Sequence, residues 1–500
     1  MPHATASPHV RVRAASRPSV SRYPIDVTVI GSQSSPLRGG RGPACASIYS
    51  ECLFAIRRVN EARRARGLSS PFQENEPMKS LGRALLATAL FACCGAAIAG
   101  KIPSGAKATQ AEWNVLVFMN GKNNLEQYTV HNWDQMAKVG SSDKVNILVE
   151  YGRIDGYYTG NGNWTGVKRY RVKKGDKPTA AGALMDLGRA KLNTDMGDKD
   201  TLAEFIKWGT EKYPAKRTML VIWNHGQGFR AAPSQKSTHR SVSFDDQTGN
   251  ALYNADVAAA IKTALGDKKL DIVSFDACLM AMIEPAYELR NRADFLVGSE
   301  ELEPGEGWDY GFLAKLSAQP ATTGAQSLGR FVVDSYRDYY TNNPSGHTTL
   351  SSIDLSKASL VADALDSVAE SLTTSTERQA ARSARTGMTP YDGSLGVDIG
   401  GWLSLLKTKA IDADSKAAIG DAQAALALAV KANYSSGNNI GGRYKGDTGL
   451  AVFFPQSAKE FNSDTSSDGY KVSNTDRPIS YVRESAWPGF LKTVFSAPTD

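Results

Sequence analysis

A histidine and a cysteine, each directly after an apolar run, are the residues best suited to covalent chemistry. His225 lies in MLVIWNHGQG (residues 219–228), and Cys278 lies in KLDIVSFDACLM (residues 269–280). A cysteine needs a neighbouring base or cation to be a thiolate at neutral pH, and an imidazole supplies one. The two segments therefore predict a thiolate–imidazole pair.

Both residues also have a structural interpretation. A lone cysteine at the end of an apolar strand is usually a small core residue, and a histidine after a strand often only forms a hydrogen bond in the core. If the pair is catalytic, the order of the two residues along the chain argues against a papain-like enzyme, because such enzymes place the cysteine before the histidine. Here His225 precedes Cys278.

The alternation of strands and helices predicts where these two residues lie. Apolar strands are predicted at 114–119, 144–151, 218–223, 270–275 and 295–298, with an edge hairpin at 167–172. Helices are predicted at 125–139, 200–213 with Asp198 as N-cap, 254–265 and 279–291. This pattern indicates an α/β fold with a largely parallel sheet covered on both faces. His225 and Cys278 would lie at the carboxyl ends of strands, where such sheets bind ligands.

The chain changes character beyond residue 320. Helices are predicted at 328–340, 358–373 and 415–432, a polar loop at 377–393 and a strand at 449–454. We therefore expect the chain of 500 residues to contain one α/β domain at 110–320 and a helix-rich C-terminal region at 321–500 that packs on this domain.

The positive charge of the chain is confined to its beginning. Residues 1–100 carry 13 Lys and Arg against 5 Asp and Glu, whereas the remaining residues carry 45 against 46. The folding part is thus nearly neutral, and its aromatic residues are not interleaved with a basic stripe. No nucleic-acid partner is expected.

Residues 78–99 have the features of a secretory signal peptide. Lys79 and Arg83 precede an apolar stretch, and Ala97–Ala99 forms a small-residue cleavage site. The apolar stretch is too short to predict a membrane span, and a buried helix is the alternative. Residues 1–77, rich in Arg, Ser and Pro, are expected to be unstructured and absent from the mature protein, with translation starting at Met78.

A lipid anchor at Cys93 is the alternative to cleavage after Ala99, because residues 90–93 loosely resemble a lipoprotein cleavage box. Either process predicts a secreted protein or one of the periplasm or cell envelope. Cleavage after Ala99 would leave Cys278 as the last cysteine, so disulfides could not stabilise the domain.

Three motifs together closely resemble the clostripain family of cysteine peptidases. They are WNHGQG, SFDACLM and the segment from Glu288 to Tyr310, and the resemblance continues weakly in GVDIGGW and GLAVFFP. It implies the caspase-like fold that gingipain and legumain share, a three-layer sandwich with a mostly parallel central sheet. It also implies that His225 is the catalytic histidine, that Cys278 is the nucleophile, and that the N–H groups of Gly226 and Cys278 form an oxyanion hole.

The resemblance further implies a pocket for a basic side chain. Asp276 would be the carboxylate at its floor and would select Arg or Lys before the cut bond. Glu306 stands where family members often carry Asp, which keeps the charge but lengthens the side chain. Glu300, Glu301 and Glu303 add negative charge nearby. The alternatives are a turn or cap residue for Asp276 and a solvated acidic loop for this run.

No cofactor is expected to be needed for the chemistry, because HExxH, CxxC and phosphate-binding glycine motifs are missing from the sequence. The founding family member depends on calcium, so the resemblance makes calcium a candidate. Asp245 and Asp246 could be ligands, although acidic loops are common.

The function predicted from these features is an exported cysteine endopeptidase that cuts proteins or peptides after Arg or Lys. Self-processing is expected between the two motifs, where residues 228–250 form a polar stretch, with Lys236 and Arg240 preceding the favoured bonds. An uncut surface loop is the alternative there. Two other functions stay open, a catalytically idle caspase-like binding protein of the cell envelope and a thiol peptidase of different specificity.

Overall fold

The computed structural model describes residues 110–495 except 189–193, 230–241, 392–395, 411, 438–446, 464–469 and 471–478. The expected leader (1–77), the signal segment (78–99) with Cys93, and the expected processing residues Lys236 and Arg240 lie outside the described residues.

A sheet of nine described strands forms the centre of the molecule. The strands of the chain are β1 (Ala111–Gly121), β2 (Val145–Arg153), β3 (Gly166–Arg171), β4 (Met185–Asp186), β5 (Ala215–Trp223), β6 (Val242–Asp245), β7 (Asn250–Leu252), β8 (Leu270–Asp276), β9 (Ala293–Gly298), β10 (Thr349–Asp354), β11 (Gly396–Asp398), β12 (Val430–Ser435) and β13 (Ala451–Phe453). The order in the sheet is β12-β10-β9-β8-β5-β1-β2-β3-β4. The five strands from β9 to β2 are parallel, and the flanking pairs are antiparallel. This arrangement confirms the predicted α/β fold.

Helices cover both faces of the sheet. They are α1 (Glu126–Val139), α2 (Lys199–Lys212), α3 (Asn254–Leu265), α4 (Ile283–Leu289), α5 (Phe312–Ala318), α6 (Ala325–Asn342), α7 (Ala358–Ser371), α8 (Ser375–Thr386), α9 (Ile399–Lys409), α10 (Ala413–Ala429), α11 (Ala458–Ser463), α12 (Ser480–Glu484) and α13 (Trp487–Phe495). Helices α1, α5 and α6 pack on one face, and α2, α3, α4 and α7 pack on the other.

The alternation of apolar residues in β1 explains why two layers of helices are needed. Val115 and Val117 point into the core on one face, while Leu116 and Phe118 point into the core on the other. All four are completely buried. A strand that is apolar on both sides is stable only in the middle of a sheet with both faces covered.

Two helices begin where the sequence indicated. The Asp198 carboxylate accepts hydrogen bonds from the N–H groups of Asp200 and Thr201, so it caps α2 as predicted. Helix α3 has the predicted limits, and Asp256 closes a capping box with Tyr253 at its start.

Two predicted segments are wrong. A helix was predicted over 279–291, but α4 begins only at Ile283, because Leu279 has a left-handed backbone (φ 62°) that ends any helix there. A loop was predicted over 377–393, but α8 occupies most of it. Thr374 caps this helix, and its small residues Ala380 and Ala384 are buried.

The central sheet runs across the division that the sequence suggested at residue 320. Strands β10 and β12 both follow that residue, and they extend the sheet beyond β9. A second contact comes from β13, where the N–H of Ala451 donates to the carbonyl of Ala281 at 2.9 Å. The C-terminal residues thus contribute strands to the sheet that carries the candidate site.

Across the residues that the structure describes, we find no helix with the length and apolar character needed to cross a membrane.

Helix α7 offers a matched test of how the C-terminal residues are held. Leu365 is fully buried, whereas Leu360 on the same helix is 43% exposed. We expect Leu365→Ala to lower the free energy of unfolding by about 2–5 kcal/mol, because it leaves a cavity. Leu360→Ala should change it by less than about 0.5 kcal/mol. Urea unfolding of both variants checks this, and equal losses would contradict the packing of α7.

Candidate active site

The pairing of β5 with β8 brings the histidine and cysteine segments together. The two strands run parallel and in register, so that Trp223 pairs with Asp276 at their ends. One residue further on, the N–H of Asn224 donates to the carbonyl of Asp276 at 3.2 Å. Beyond this bond the turns that carry His225 and Cys278 stay in contact, since Gly226 packs against the backbone of Cys278. Neighbouring strands lie about 4.8 Å apart, so the two side chains start from adjacent backbone positions.

Gly226 allows the two turns to approach closely. A Cβ atom at this position would lie 2.3 Å from the carbonyl oxygen of Cys278 and 3.0 Å from its nitrogen. Any side chain would therefore push the two turns apart. Glycine is required here by the close backbone approach.

The turn after Cys278 is held in a strained conformation. Leu279 is buried and has a left-handed backbone, which is unfavourable for a residue with a branched side chain. Its N–H donates to the carbonyl of Glu301 at 3.2 Å. Strain of this kind concentrates at functional sites, and here it presents the cysteine at the end of β8.

His225 forms a hydrogen bond that orients its ring. Its Nε2 atom lies 2.8 Å from the Oδ1 atom of Asn124. Because an amide oxygen only accepts, Nε2 carries the proton in the neutral ring, and Nδ1 is the nitrogen able to take up another. Burial lowers the pKa of His225, which favours this neutral form.

Asn124 was missed at the level of sequence, because it falls between the strand predicted to end at residue 119 and the helix predicted to begin at residue 125. The signal was its position directly after β1, which neighbours β5 in the sheet. Residues after neighbouring parallel strands meet at one edge of the sheet.

The environment of the Cys278 sulfur opposes ionisation. Burial, and next the Glu303 carboxyl, raise the pKa of this thiol to about 12, although the N–H groups of Glu303, Gly226 and Cys278 favour the thiolate. The Glu303 N–H lies 3.3 Å from Sγ. The raised pKa of the thiol and the lowered pKa of the imidazole favour the neutral form of each residue.

Asp276 lies below the cysteine and is almost completely buried, with 3% of its surface exposed. Its Oδ1 accepts from the backbone N–H of Trp308 at 3.0 Å, and its Oδ2 accepts from the Tyr310 hydroxyl at 3.0 Å. Gly307, which has a left-handed backbone, packs directly on the carboxylate.

Glu303, which belongs to the acidic run expected near the pocket, forms a side-chain hydrogen bond with Asp276. Its Oε1 atom accepts from the indole N–H of Trp308 at 3.2 Å. Burial raises the pKa of Asp276 to about 7. Burial, together with the Asp276 carboxylate, raises the pKa of Glu303 well above its usual range. The two carboxyls therefore share at least one proton at neutral pH.

Glu306 lies further out, with its side chain exposed to solvent. Its backbone carbonyl accepts a hydrogen bond from Asn132 at 2.9 Å. Among the described contacts none joins the Glu306 carboxylate to Asp276. The structure thus brings Asp276 next to Glu303 rather than next to Glu306.

Asp245, a candidate calcium ligand, is already held by donors of the protein. No group of three or more His, Cys, Asp or Glu side chains among them is arranged to hold a metal ion. Both oxygens of Asp245 already have protein donors, since Oδ2 pairs with the Lys122 ammonium at 2.7 Å and Oδ1 accepts from two backbone N–H groups. Asp245 is 1% exposed.

Comparison with known proteins points to one family. A model of the clostripain family of peptidases matches residues 117–418. Clostripain of Hathewaya histolytica is 26% identical over 295 residues, which cover 52% of this chain and 56% of that protein. The chain thus spans little more than half of this relative's length.

Solved structures of similar fold are described as C11 cysteine proteases. A secreted one from Bacteroides thetaiotaomicron, bound to an irreversible peptide inhibitor, has a TM-score of 0.56 and 19% identity, covering 75% of this chain and 99% of that one. An inactive zymogen from Parabacteroides distasonis has a TM-score of 0.52 and 17% identity, covering 78% and 99%. At these identities the likeness concerns the fold.

The protonation state of Cys278 predicts how it reacts with an alkylating agent. Because its pKa is raised to about 12, the rate with iodoacetamide should rise about tenfold per pH unit between about pH 7 and 9. Mass spectrometry of the peptide that carries Cys278 measures this rate, with the unfolded chain as reference. A fast rate that is constant below pH 7 would instead show a preformed thiolate.

Proposed function

Because the chain belongs to the clostripain family of cysteine peptidases, we propose that it is a cysteine endopeptidase in which Cys278 attacks the peptide carbonyl and His225 is its base. The observation that carries this proposal is the parallel pairing of β5 with β8, which places the turns carrying His225 and Cys278 side by side, with Gly226 against the Cys278 backbone. A nucleophile and a base on adjacent rigid strands are held within reach of the same peptide bond.

The neutral resting pair defines the first step. As the sulfur attacks, the thiol proton moves to the free nitrogen of the His225 ring, and a bond forms between Sγ and the carbonyl carbon. The imidazolium then gives this proton to the departing amine as the carbon–nitrogen bond breaks. Water, activated by the same imidazole, hydrolyses the thioester. Asn124 orients the ring throughout through its hydrogen bond to Nε2.

The N–H groups beside the sulfur suit an oxyanion hole. Those of Gly226 and Cys278 act on the sulfur itself, so they lie at the point where the carbonyl oxygen of a substrate would develop charge. Rigid donors at such a point stabilise the tetrahedral intermediate.

The acidic pair supports a preference for Arg or Lys before the cut bond. Asp276 and the carboxyl end of Glu303 are buried near the nucleophile, and no described lysine or arginine pairs with either of them. A buried carboxylate without a cation is unfavourable. A basic side chain of the substrate would supply the missing charge, whereas an acidic one would be repelled.

Export and self-processing complete the proposal. The signal features at 78–99 support secretion, and one similar structure is described as secreted. Another is described as an inactive zymogen, which supports activation by cutting the chain. We place the cut after Lys236 or Arg240, in the polar stretch between the histidine and cysteine segments.

Activity should depend on both members of the pair. Cys278→Ala and His225→Ala should each lower kcat/KM for an amide substrate ending in Arg by several orders of magnitude, because nucleophile and base act as a unit. Substrates ending in Lys should be cut, and those ending in Asp should not. Glu211→Gln, an exposed change on α2, is the control. Near-normal turnover by Cys278→Ala would contradict the mechanism.

Self-processing should require Cys278. Intact-mass analysis of freshly purified protein should find two fragments for the unaltered chain and a single chain for Cys278→Ala. The double variant Lys236→Gln, Arg240→Gln should stay uncut while its Cys278 is intact. Equal cutting of the unaltered and Cys278→Ala proteins would show that another protease is responsible.

A further inference from the structure

Trp308 ties two buried carboxyls together next to the nucleophile. Its backbone N–H donates to Asp276 at 3.0 Å, and its indole N–H donates to Glu303 at 3.2 Å. The second oxygen of Glu303, Oε2, is buried and accepts no hydrogen bond from a donor of the protein. Both carboxyls are therefore held in place by one rigid residue, and a hydrogen bond joins the two carboxyls to each other.

The described groups around this pair are neutral or acidic. The groups that act on the pair, or on its neighbours, are the hydroxyls of Tyr310, Tyr336 and Tyr340, the Cys278 thiol and the Glu306 carboxylate. No described lysine or arginine forms an ion pair with either carboxyl. Two such carboxylates in contact cannot both be ionised, so a proton takes the place of a cation.

Glu303 also touches the nucleophile. Its backbone N–H lies 3.3 Å from the Cys278 sulfur, and it follows the exposed Leu302 in the loop after β9. Asp276, by contrast, ends a central strand. Glu303 is partly exposed, whereas Asp276 is almost completely buried, so a side chain that comes from solvent is expected to reach Glu303 before Asp276.

We propose that Glu303 is a specificity-determining residue, a proton-bearing cap on Asp276 whose proton a basic substrate side chain replaces. The inference rests on the proposed function, since it concerns the residue before the cut bond. The only covalent bond that breaks on binding is the O–H bond of the protonated carboxyl pair. The guanidinium or ammonium keeps its charge, the carboxyl pair loses its proton to solvent, and one cation then lies against two carboxylates.

The exchange makes binding depend on pH in a defined direction. The raised pKa values of Asp276 and Glu303 in the free protein fall when a cation arrives. A complex that binds fewer protons than the free protein becomes more stable as pH rises. The affinity for basic peptides should therefore increase with pH. A neutral side chain would leave the carboxyl pair protonated, so its affinity should not increase with pH.

Isothermal titration calorimetry on the full chain with Cys278→Ala tests the exchange. A peptide with one internal arginine is titrated in two buffers of different protonation enthalpy. Near pH 8, above the pKa of about 7 of Asp276, we expect about one proton to be released per peptide. Near pH 6 the release should be larger, because Asp276 then also holds a proton. The same peptide with citrulline, a neutral analogue of arginine, should release none.

Glu303→Gln, added to Cys278→Ala, isolates the cap. Glutamine still donates a hydrogen bond to Asp276 but cannot ionise, so proton release near pH 8 should fall to nearly zero. Glu211→Gln is the matched control, since that side chain is exposed on α2, and it should leave the release unchanged. Thermal unfolding shows whether Glu303→Gln is folded. If it is not, the pH dependence of release in the parent protein decides.

Two results would overturn the inference while leaving the proposed function intact. They are binding of the arginine peptide without proton release, and equal release by Glu303→Gln. Failure of the arginine peptide to bind at any pH, while peptides without a basic residue bind, would contradict the proposed preference itself, and the inference would fall with it.

Discussion

The parallel pairing of β5 with β8 is the constraint on which the site depends. In-register pairing ends at Trp223 and Asp276, so the next residues of both strands leave the sheet at the same edge. A shift of one residue would turn every side chain of a strand to the opposite face, which would separate His225 from Cys278. The close approach at Gly226 depends on the same register. Both strands lie in the middle of the sheet, where burial on two faces resists such a shift.

Burial governs the chemistry of the site, where no described lysine or arginine pairs with the acidic residues. It keeps Cys278 a thiol, His225 a neutral imidazole, and the Asp276–Glu303 pair protonated. The resting site therefore holds its reactive groups without separated charges, which is the state of lower free energy where water is excluded. A basic substrate side chain changes this balance. When the cation replaces the proton that Asp276 and Glu303 share, the charge near the Cys278 sulfur changes as well. Substrate recognition and the reactivity of the nucleophile are thus linked through the same carboxyl pair.

Local structure could be predicted well from the sequence, whereas pairing between distant residues could not. The apolar strands and the capped helix after Asp198 follow from short patterns, and the motifs around His225 and Cys278 singled out both residues. The join of β10 and β12 to the central sheet depends on pairing between distant residues, which no local pattern encodes. Leu279 ended a predicted helix because tertiary contacts hold its backbone in a left-handed conformation. Asn124 and Glu303 gain meaning only when the fold brings them to the site.

A covalent label tests the central claim most directly. The claim is that Cys278 is a nucleophile activated by His225, and that a neighbouring acidic pocket binds the basic side chain of the substrate. A peptide that ends in arginine and carries a thiol-reactive group should label Cys278 in the unaltered protein, and much more slowly in His225→Ala. The same reagent ending in aspartate should leave Cys278 unlabelled. Mass spectrometry identifies the modified residue. Labelling at equal rates by both reagents, or labelling of Cys278 that does not depend on His225, would contradict the account.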